Sequence, residues 1–352
     1  MALGNGDAPA PPRDGVVHPV RVDADGVGGP TRMQARGRAW RRTSRGLYVP
    51  STVNGGLPEQ RVIEAAAVLP DFGGVTGWAS LRWAGGVWFD GLARDGRARL
   101  PVTLVTGYSD VRNQPAHGIV ISQERLGQRE VYLIAGLRST SLVRSLCFEM
   151  RYADDKREAT VVLDMAAYSD LVSIEEIALY AFAHSGWTGI PQCRDALVLA
   201  DENSWSPWET RMRLVWMLDA GFPRPLCNPP IFDRSGQLIG TPDILDPEAG
   251  VAGVYDGALH LDGDRRRHDR SREADFRRVG LEYFTVMSGD SRAETVARMS
   301  EARQRARWEP EARRAWTLDL PSWWTPTSTV DQRRALNRAQ RERLLRLRRR
   351  TA

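Results

Sequence analysis

The sequence lacks the features that define several protein classes. Its 352 residues include only three cysteines. Cys147, Cys193 and Cys227 lie too far apart to form the paired framework of a small secreted protein or a CxxC metal site. No apolar run approaches the roughly 20 residues of a membrane-spanning helix, and the N-terminus has no basic-then-apolar leader. These absences predict a cytoplasmic protein with reduced thiols and no contact with membranes.

Lysine is also nearly absent, because it occurs only as Lys156 and arginine carries the remaining positive charge. Residues 32–45 contain six arginines and no acidic residue, and residues 331–352 contain nine arginines against two acidic residues. Since the formal net charge is +5, the rest of the chain is acidic overall. Two basic segments around an acidic body suit a polyanionic partner such as DNA. GC-rich coding also enriches arginine, so this observation leaves both explanations open.

The N-terminal part is expected to contain a winged-helix-like and mixed α/β region. Residues 1–30 are rich in glycine, proline and alanine and are predicted to be disordered. Residues 31–135 begin with a short helix, capped by Thr31 and extending to Ala39, and with a hairpin over residues 40–49. Further helices are expected over residues 58–69 and 77–84. Short strands are expected within residues 100–135.

The remaining sequence predicts a helical connector over residues 136–203, an α/β domain over residues 204–292 and a helical basic tail over residues 293–352. The α/β domain has the order helix, hairpin, strand, helix, strand, and its first helix is marked by Ser206 as N-cap and Pro207 at the first helical position. The predicted fold class is therefore α/β, with one central sheet in the C-terminal domain.

Carboxylates in this domain have the placement of a metal-dependent nuclease site. Glu209 lies on the first helix, Asp243 ends the hairpin, Asp256 lies on the next strand and His260 follows it. Converging carboxylates hold Mg²⁺, which polarises a scissile phosphate and generates hydroxide. We expect Asp243 and Asp256 to bind Mg²⁺ or Mn²⁺, Glu209 to be an outer or third ligand, and His260 to contact phosphate or move a proton.

Each of these residues also has a purely structural explanation. Glu209 at the third helical position favours the helix dipole and completes a capping box with Ser206. Pro-Asp is a common turn pair before Asp243, Asp256 precedes a glycine that ends a strand, and His260 fits a surface loop. The residue types alone therefore leave the structural and the catalytic explanations open.

Arginines supply the candidate DNA contacts. A short helix followed by a hairpin can lie in a major groove and along its backbone, where arginine side chains contribute salt-dependent affinity. The candidates in this segment are Arg32, Arg36, Arg38, Arg41, Arg42 and Arg45. A second run, Arg265, Arg266 and Arg267, either binds phosphate beside the carboxylates or forms a solvated helix face. The basic tail likewise either docks on DNA or lies in solvent, and the tryptophans are assigned to the core rather than to base stacking.

Two stretches carry a resemblance to known proteins. Residues 206–257, from SPWETRMRLVWMLDAG through TPDILD to VYDG, resemble the very-short-patch-repair-type, PD-(D/E)xK endonuclease-like domain of an actinobacterial family. Residues 31–51, TRMQARGRAWRRTSRGLYVPS, resemble the winged-helix segment of AbiEi-type antitoxins. The resemblance implies a DNA-interacting protein of defence or mobile-element type, with a cognate toxin or defence partner.

One position departs from the family pattern. The family has Glu-Tyr-Asp-Gly on the central strand, and this chain has Val254-Tyr255-Asp256-Gly257. Residues 254 and 256 point to the same face of a strand, so the expected ligand pair is reduced to Asp256. We therefore expect weaker metal binding and lower activity. Two alternatives remain: a catalytically inactive DNA-binding regulator of antitoxin type, and a protein–protein interaction module.

Overall fold

The chain folds into two units that both combine helices with β-sheets, so the predicted α/β class is confirmed. The computed structural model describes residues 13–107, 118–127, 130–257, 273–346 and 348. Unit 1 comprises Met1–Tyr152 and Tyr180–His184, and unit 2 comprises Ala153–Leu179 and Ser185–Ala352. Within the described ranges, no helix is long and apolar enough to cross a membrane.

Unit 1 contains the predicted hairpin as part of a three-stranded antiparallel sheet. Strands β2 (Trp40–Ser44) and β3 (Leu47–Pro50) pair with each other, and β1 (Val20–Arg21) pairs with the other edge of β3. Gly46 at the turn has a φ of +75°, a conformation that glycine adopts without steric cost. The alternation of buried Leu47 and Val49 explains why this segment forms a strand.

The region before the hairpin differs from the prediction. Only a single 3₁₀ turn, Gln34–Arg36, forms where a helix to Ala39 was expected, and Gly37 ends it in an extended conformation. The residue before this turn is Met33, which makes no capping hydrogen bond, and Thr31 lies two residues earlier, where its Oγ1 accepts from the Gln34 amide at 3.2 Å. Residues 13–30 include strand β1 instead of being wholly irregular, and none of them is helical.

The second sheet of unit 1 is mixed, with the strand order β6-β5-β4-β8-β7. The sequence predicted β5, β6 and β7 but not the central strands β4 and β8. Glycines around the start of β4 and just after it give that stretch the composition of a loop. The strands are β4 (Gly74–Thr76), β5 (Val102–Val105), β6 (Ile119–Ser122), β7 (Val131–Ile134) and β8 (Leu137–Thr140).

Helices occupy most of the chain between residues 142 and 218, and two more lie earlier in unit 1. A capping box precedes α5, because Ser173 N donates to Glu176 Oε2 at 2.7 Å and Glu176 N donates to Ser173 Oγ at 3.1 Å. The helices are α1 (Pro58–Ala66), α2 (Gly77–Trp83), α3 (Leu142–Tyr152), α4 (Lys156–Tyr168), α5 (Ile174–Ala183), α6 (Ile190–Leu199) and α7 (Pro207–Leu218).

Unit 2 contains two sheets where the sequence predicted one central sheet. The first has the order β14-β13-β12-β9, with β13 and β14 parallel, and the second has the order β11-β10-β15. The expected single strand over residues 237–246 is divided by Thr241-Pro242-Asp243, because proline cannot donate to a sheet ladder. The strands are β9 (Leu226–Cys227), β10 (Ile231–Asp233), β11 (Leu238–Gly240), β12 (Ile244–Asp246), β13 (Val251–Asp256), β14 (Glu282–Met287) and β15 (Trp316–Thr317).

Both faces of the four-stranded sheet are buried. Helix α8, described over residues 273–278, contributes Phe276 to one face, and α9 (Arg292–Arg305) contributes Met299 to the other together with Trp216 of α7. Val251 and Ala252 on β13 belong to opposite faces, as expected for a strand. The elements of this sheet and its helices follow one another as α7, β9, β12, β13, α8, β14 and α9. The hairpin of β10 and β11, which was expected in the central sheet, belongs to the three-stranded sheet instead.

The basic C-terminal segment packs against other residues of unit 2. It forms α10 (Val330–Arg334) and α11 (Arg338–Leu344). Arg333 is fully buried and donates from Nε to Asp170 Oδ1 at 2.6 Å and from Nη2 to the Ala167 carbonyl at 2.7 Å. Arg341 donates to the second oxygen of Asp170 at 2.6 Å. These arginines are therefore part of the fold, an arrangement that neither sequence-based alternative included.

Candidate active site

Glu209 is buried at the start of α7. Ser206 begins this helix as predicted, since its Oγ accepts from the Glu209 amide at 3.2 Å, and Pro207 occupies the first helical position. The Glu209 side chain is oriented by two donors to Oε2, the Trp205 amide at 2.8 Å and Asn228 Nδ2 at 2.7 Å. The Glu209 carboxylate therefore accepts from the amide of Trp205, one residue before the N-cap. The expected capping box would instead have joined it to the amide of Ser206.

Asp243 lies between β11 and β12 and is fixed by backbone contacts. Its Oδ2 accepts a hydrogen bond from the Tyr255 amide on β13 at 2.6 Å. Its carbonyl oxygen accepts from the Asn228 amide at 3.1 Å. Asn228 thus contacts both Asp243 and Glu209 and connects the two acidic residues.

The electrostatic environment of Glu209 strengthens this connection. Burial is the larger cause and the negative charge of Asp243 the next, and together they raise the pKa of Glu209 to about 8. Two carboxylates held close together in such a site cannot both ionise without a compensating positive charge. The raised pKa thus favours the protonated form of Glu209, and a bound cation would favour the ionised form instead.

Asn228 adds a further oxygen to this environment. It has a φ of +45°, a conformation that asparagine tolerates better than most residues. Its Nδ2 is used twice, because it also donates to the Asn203 carbonyl at 2.8 Å. Its Oδ1 is buried and accepts no hydrogen bond from the described residues. Leaving a buried acceptor unsatisfied costs about 1–3 kcal/mol, which makes Asn228 Oδ1 an available ligand atom.

The donor chemistry suits a hard divalent cation. Carboxylate and amide oxygens are ligands of Mg²⁺, which keeps several waters and needs few protein ligands. Glu209, Asp243 and Asn228 supply such oxygens. In the ranges that the structure describes, no group of three or more His, Cys, Asp or Glu side chains is placed to hold a metal ion. What the three residues offer is oxygen atoms of the chemical type that such a cation prefers, with water to complete its coordination.

The other predicted site residues have different surroundings. Asp256 is the last residue of β13 and is half-buried, and its carbonyl accepts from the Ser288 amide at 3.0 Å. Val254 is only 8% exposed and belongs to an apolar cluster with Phe276 and Trp316. The missing carboxylate is thus replaced by a core residue. His260, Arg265, Arg266 and Arg267 lie outside the described residues.

A partly exposed aromatic pair borders the acidic residues. The rings of Trp208 and Tyr255 are parallel within 6°, with their centroids 5.7 Å apart. The Arg211 guanidinium lies 4.8 Å from the centre of the Trp208 ring and donates to Glu158 Oε2 at 2.9 Å. Trp208 is 46% exposed, whereas tryptophans were expected in the core.

Arg348 brings the C-terminal segment to this region. Its carbonyl accepts from the Tyr168 hydroxyl at 2.8 Å, and its guanidinium lies 5.7 Å from the centre of the Trp205 ring. Burial lowers the pKa of Arg348, while the negative charge of Glu209 opposes that shift. Arg348 and Glu209 are therefore electrostatically linked. Composition alone does not single out Arg348, because it belongs to a run of arginines.

The six arginines of residues 32–45 in unit 1, named here the hairpin arginines, divide into paired and exposed residues. Arg41 forms a bidentate ion pair with Glu64, at 2.6 and 3.0 Å, so it stabilises the fold. Arg42 is exposed and donates from Nε to the Ser44 carbonyl. The remaining four are exposed and form no ion pair with any residue that the structure describes: Arg32, Arg36, Arg38 and Arg45.

Comparison with known proteins adds no relative to this picture. No family model, no curated protein and no solved structure matches the chain.

Proposed function

We propose that unit 2 is a metal-dependent endodeoxyribonuclease domain of the PD-(D/E)xK type, in a DNA-interacting protein of defence or mobile-element type. The observation that carries the proposal is the acidic pair of the buried Glu209 and the half-buried Asp243, joined by Asn228. The antiparallel pairing of β12 with β13 supports it, because Asp243, directly before β12, lies beside the end of β13 that carries Asp256.

The residues of the chain divide into cation ligands and residues that orient them. Glu209 and Asp243 would hold Mg²⁺ or Mn²⁺, with Asn228 Oδ1 as a further oxygen. When bound, the ion would polarise the scissile phosphate and lower the pKa of a bound water. The Tyr255 amide fixes Asp243. Asp256 would be a further ligand of the ion. His260 would contact phosphate or move a proton.

A second candidate function is DNA binding without cleavage, as in a regulator or antitoxin with a toxin or defence partner. It is favoured by Val254, which fills an apolar cluster at the position where the family carries a carboxylate. In this alternative the exposed arginines of the unit 1 hairpin supply phosphate contacts, and the acidic pair is an inactive remnant.

A cleavage assay distinguishes the two candidates. The protein is incubated with single- and double-stranded DNA in Mg²⁺ or Mn²⁺, beside the variants Asp243→Asn and Glu248→Gln. Glu248 is an exposed acidic residue of the same unit and serves as the matched control. The nuclease proposal expects cleavage that Asp243→Asn abolishes and Glu248→Gln retains. Absence of cleavage by the folded natural protein would favour the second candidate.

A further inference from the structure

The Trp208 side chain has an exposure that core packing does not explain. It lies on the first turn of α7, and 46% of it is exposed, whereas Trp216 on the same helix is fully buried. Its stacking on Tyr255, with the rings 6° from parallel, holds the indole in a defined orientation. A large aromatic side chain that is fixed and solvent-accessible is suited to stacking with a flat ligand.

This aromatic pair is built from the same backbone segments as the acidic pair. Trp208 directly precedes Glu209, and the amide of Tyr255 donates to Asp243 at 2.6 Å. The backbone that positions the aromatic pair therefore also positions the two carboxylates. No other exposed tryptophan among the described residues, such as Trp308 or Trp323, has this connection.

An arginine next to the platform helps to fix its orientation. The Arg211 guanidinium lies over the Trp208 ring, and it uses Nε and Nη2 for Glu158. The contact with Glu158 holds the guanidinium in place beside the indole. A ligand that stacks here would thus meet an aromatic surface that is held by Tyr255 and Arg211.

We propose that Trp208 and Tyr255 form a platform for an unpaired base, so that the substrate is single-stranded or locally unpaired DNA. In a duplex the faces of each base are covered by its neighbours, and only an unpaired base offers a face to an indole. The inference rests on the proposed function in that it takes DNA as the ligand. It adds the class of DNA that the site accepts.

The inference is tested by DNA binding in the presence of EDTA, where no cleavage occurs. Fluorescence anisotropy gives the affinity for a labelled oligo-dT and for a labelled duplex. The variants are Trp208→Ala, Trp208→Phe and, as the matched control, Trp323→Ala, which removes another exposed tryptophan of unit 2. Thermal unfolding of each variant verifies that it is folded.

We expect Trp208→Ala to lower the affinity for oligo-dT by about tenfold or more, which is the range for loss of one stacked base. Trp208→Phe should restore part of the affinity, and Trp323→Ala should leave it unchanged. The affinity for duplex should not respond to Trp208→Ala. An unchanged affinity for oligo-dT, an equal loss for duplex, or no DNA binding at all would overturn the inference.

These outcomes separate the inference from the nuclease proposal. Binding of oligo-dT that depends on Trp208, without cleavage in Mg²⁺ or Mn²⁺, would remove the nuclease proposal and keep the platform. Cleavage that depends on Asp243, combined with binding that ignores Trp208, would remove the platform and keep the nuclease.

Discussion

Glu209 shows how the surroundings of one side chain define a site. On a surface helix this residue would be an ordinary acidic residue of the first turn. Here it is 4% exposed, bonded to Trp205 and Asn228, and adjacent to the charge of Asp243. Its ionisation therefore opposes folding unless a cation is present.

This environment predicts a pH dependence of stability. The pKa of Glu209 in the folded protein, about 8, lies above its ordinary value of 4.5. The contribution of Glu209 to the free energy of unfolding is thus fully present below pH 4.5 and is lost as the pH rises through 8. Each unit of difference between the folded and the ordinary pKa corresponds to about 1.4 kcal/mol. Glu209→Gln should flatten this dependence when urea unfolding is measured from pH 4.5 to 9. Glu248→Gln should follow the natural protein, and parallel curves for Glu209→Gln would contradict the prediction.

Val254 is expected to be a structural residue of the core. Introducing by Val254→Glu the glutamate that the resemblance led us to expect would place a carboxylate among Phe276, Leu281 and Trp316. An unpaired charge in such surroundings is strongly unfavourable, so we expect a loss of about 3 kcal/mol or more in unfolding experiments. Val254→Thr, which has a similar volume and no charge, should lose less. A stable Val254→Glu variant with tighter Mn²⁺ binding would instead show that this position faces the cation.

At the scale of elements, the C-terminal helices depend on buried arginine. Arg333 is fully buried and shares Asp170 with Arg341, so Arg333→Met removes one of the two guanidinium groups that bind this carboxylate. We expect a loss of about 3–5 kcal/mol in the free energy of unfolding. Arg338 is 94% exposed and pairs only with Glu342 one turn later, so Arg338→Met should change stability by less than about 0.5 kcal/mol. Similar losses for both variants would refute a structural role for the tail.

Elements with local signals were predicted well from the sequence. Ser206 and Pro207 fixed the start of α7, and the alternation around Gly46 indicated the hairpin. Elements that depend on distant partners were not predicted. Arg333 contacts Asp170, 163 residues earlier in the chain, and a basic run contains no sign of such a partner.

In the candidate site, too, residues with a local signal in the sequence were predicted, and residues defined by their contacts were not. Glu209 and Asp243 were singled out because carboxylates are conspicuous beside a predicted helix and hairpin, and in the structure both contact Asn228. Asn228 was missed because Asn-Pro-Pro is typical of a turn, and its role appears only through its contacts. Trp208 was missed because exposure cannot be deduced from a tryptophan in a partly apolar helix.

At the scale of the whole molecule, arginine has two separate roles. In the C-terminal segment Arg333, Arg334 and Arg341 bind acidic side chains and carbonyls of unit 2. Among the arginines of residues 32–45 in unit 1, most are exposed and form no ion pair with described residues. The sequence showed two similar basic segments, and the structure distinguishes them by the arginines of the C-terminal segment that are bound within unit 2.

This difference predicts which segment determines salt-dependent DNA binding. Replacing the four unpaired hairpin arginines together by serine should reduce the slope of log Kd against log salt, by about 0.9 for each duplex phosphate that is no longer neutralised. Replacing the exposed tail arginines Arg338, Arg343 and Arg346 by serine should leave the slope unchanged. Anisotropy titrations at several salt concentrations measure both variants, and a lower slope for the tail variant alone would reverse the assignment.

The proposed nuclease site requires Glu209 and Asp243 to hold a divalent cation. Calorimetric titration with Mn²⁺ at neutral pH tests it most directly, on the natural protein, Asp243→Asn and Glu248→Gln. We predict saturable binding to the natural protein and to Glu248→Gln, and loss of that binding in Asp243→Asn. A folded natural protein that binds no Mn²⁺, or an Asp243→Asn variant that binds it equally well, would contradict the claim.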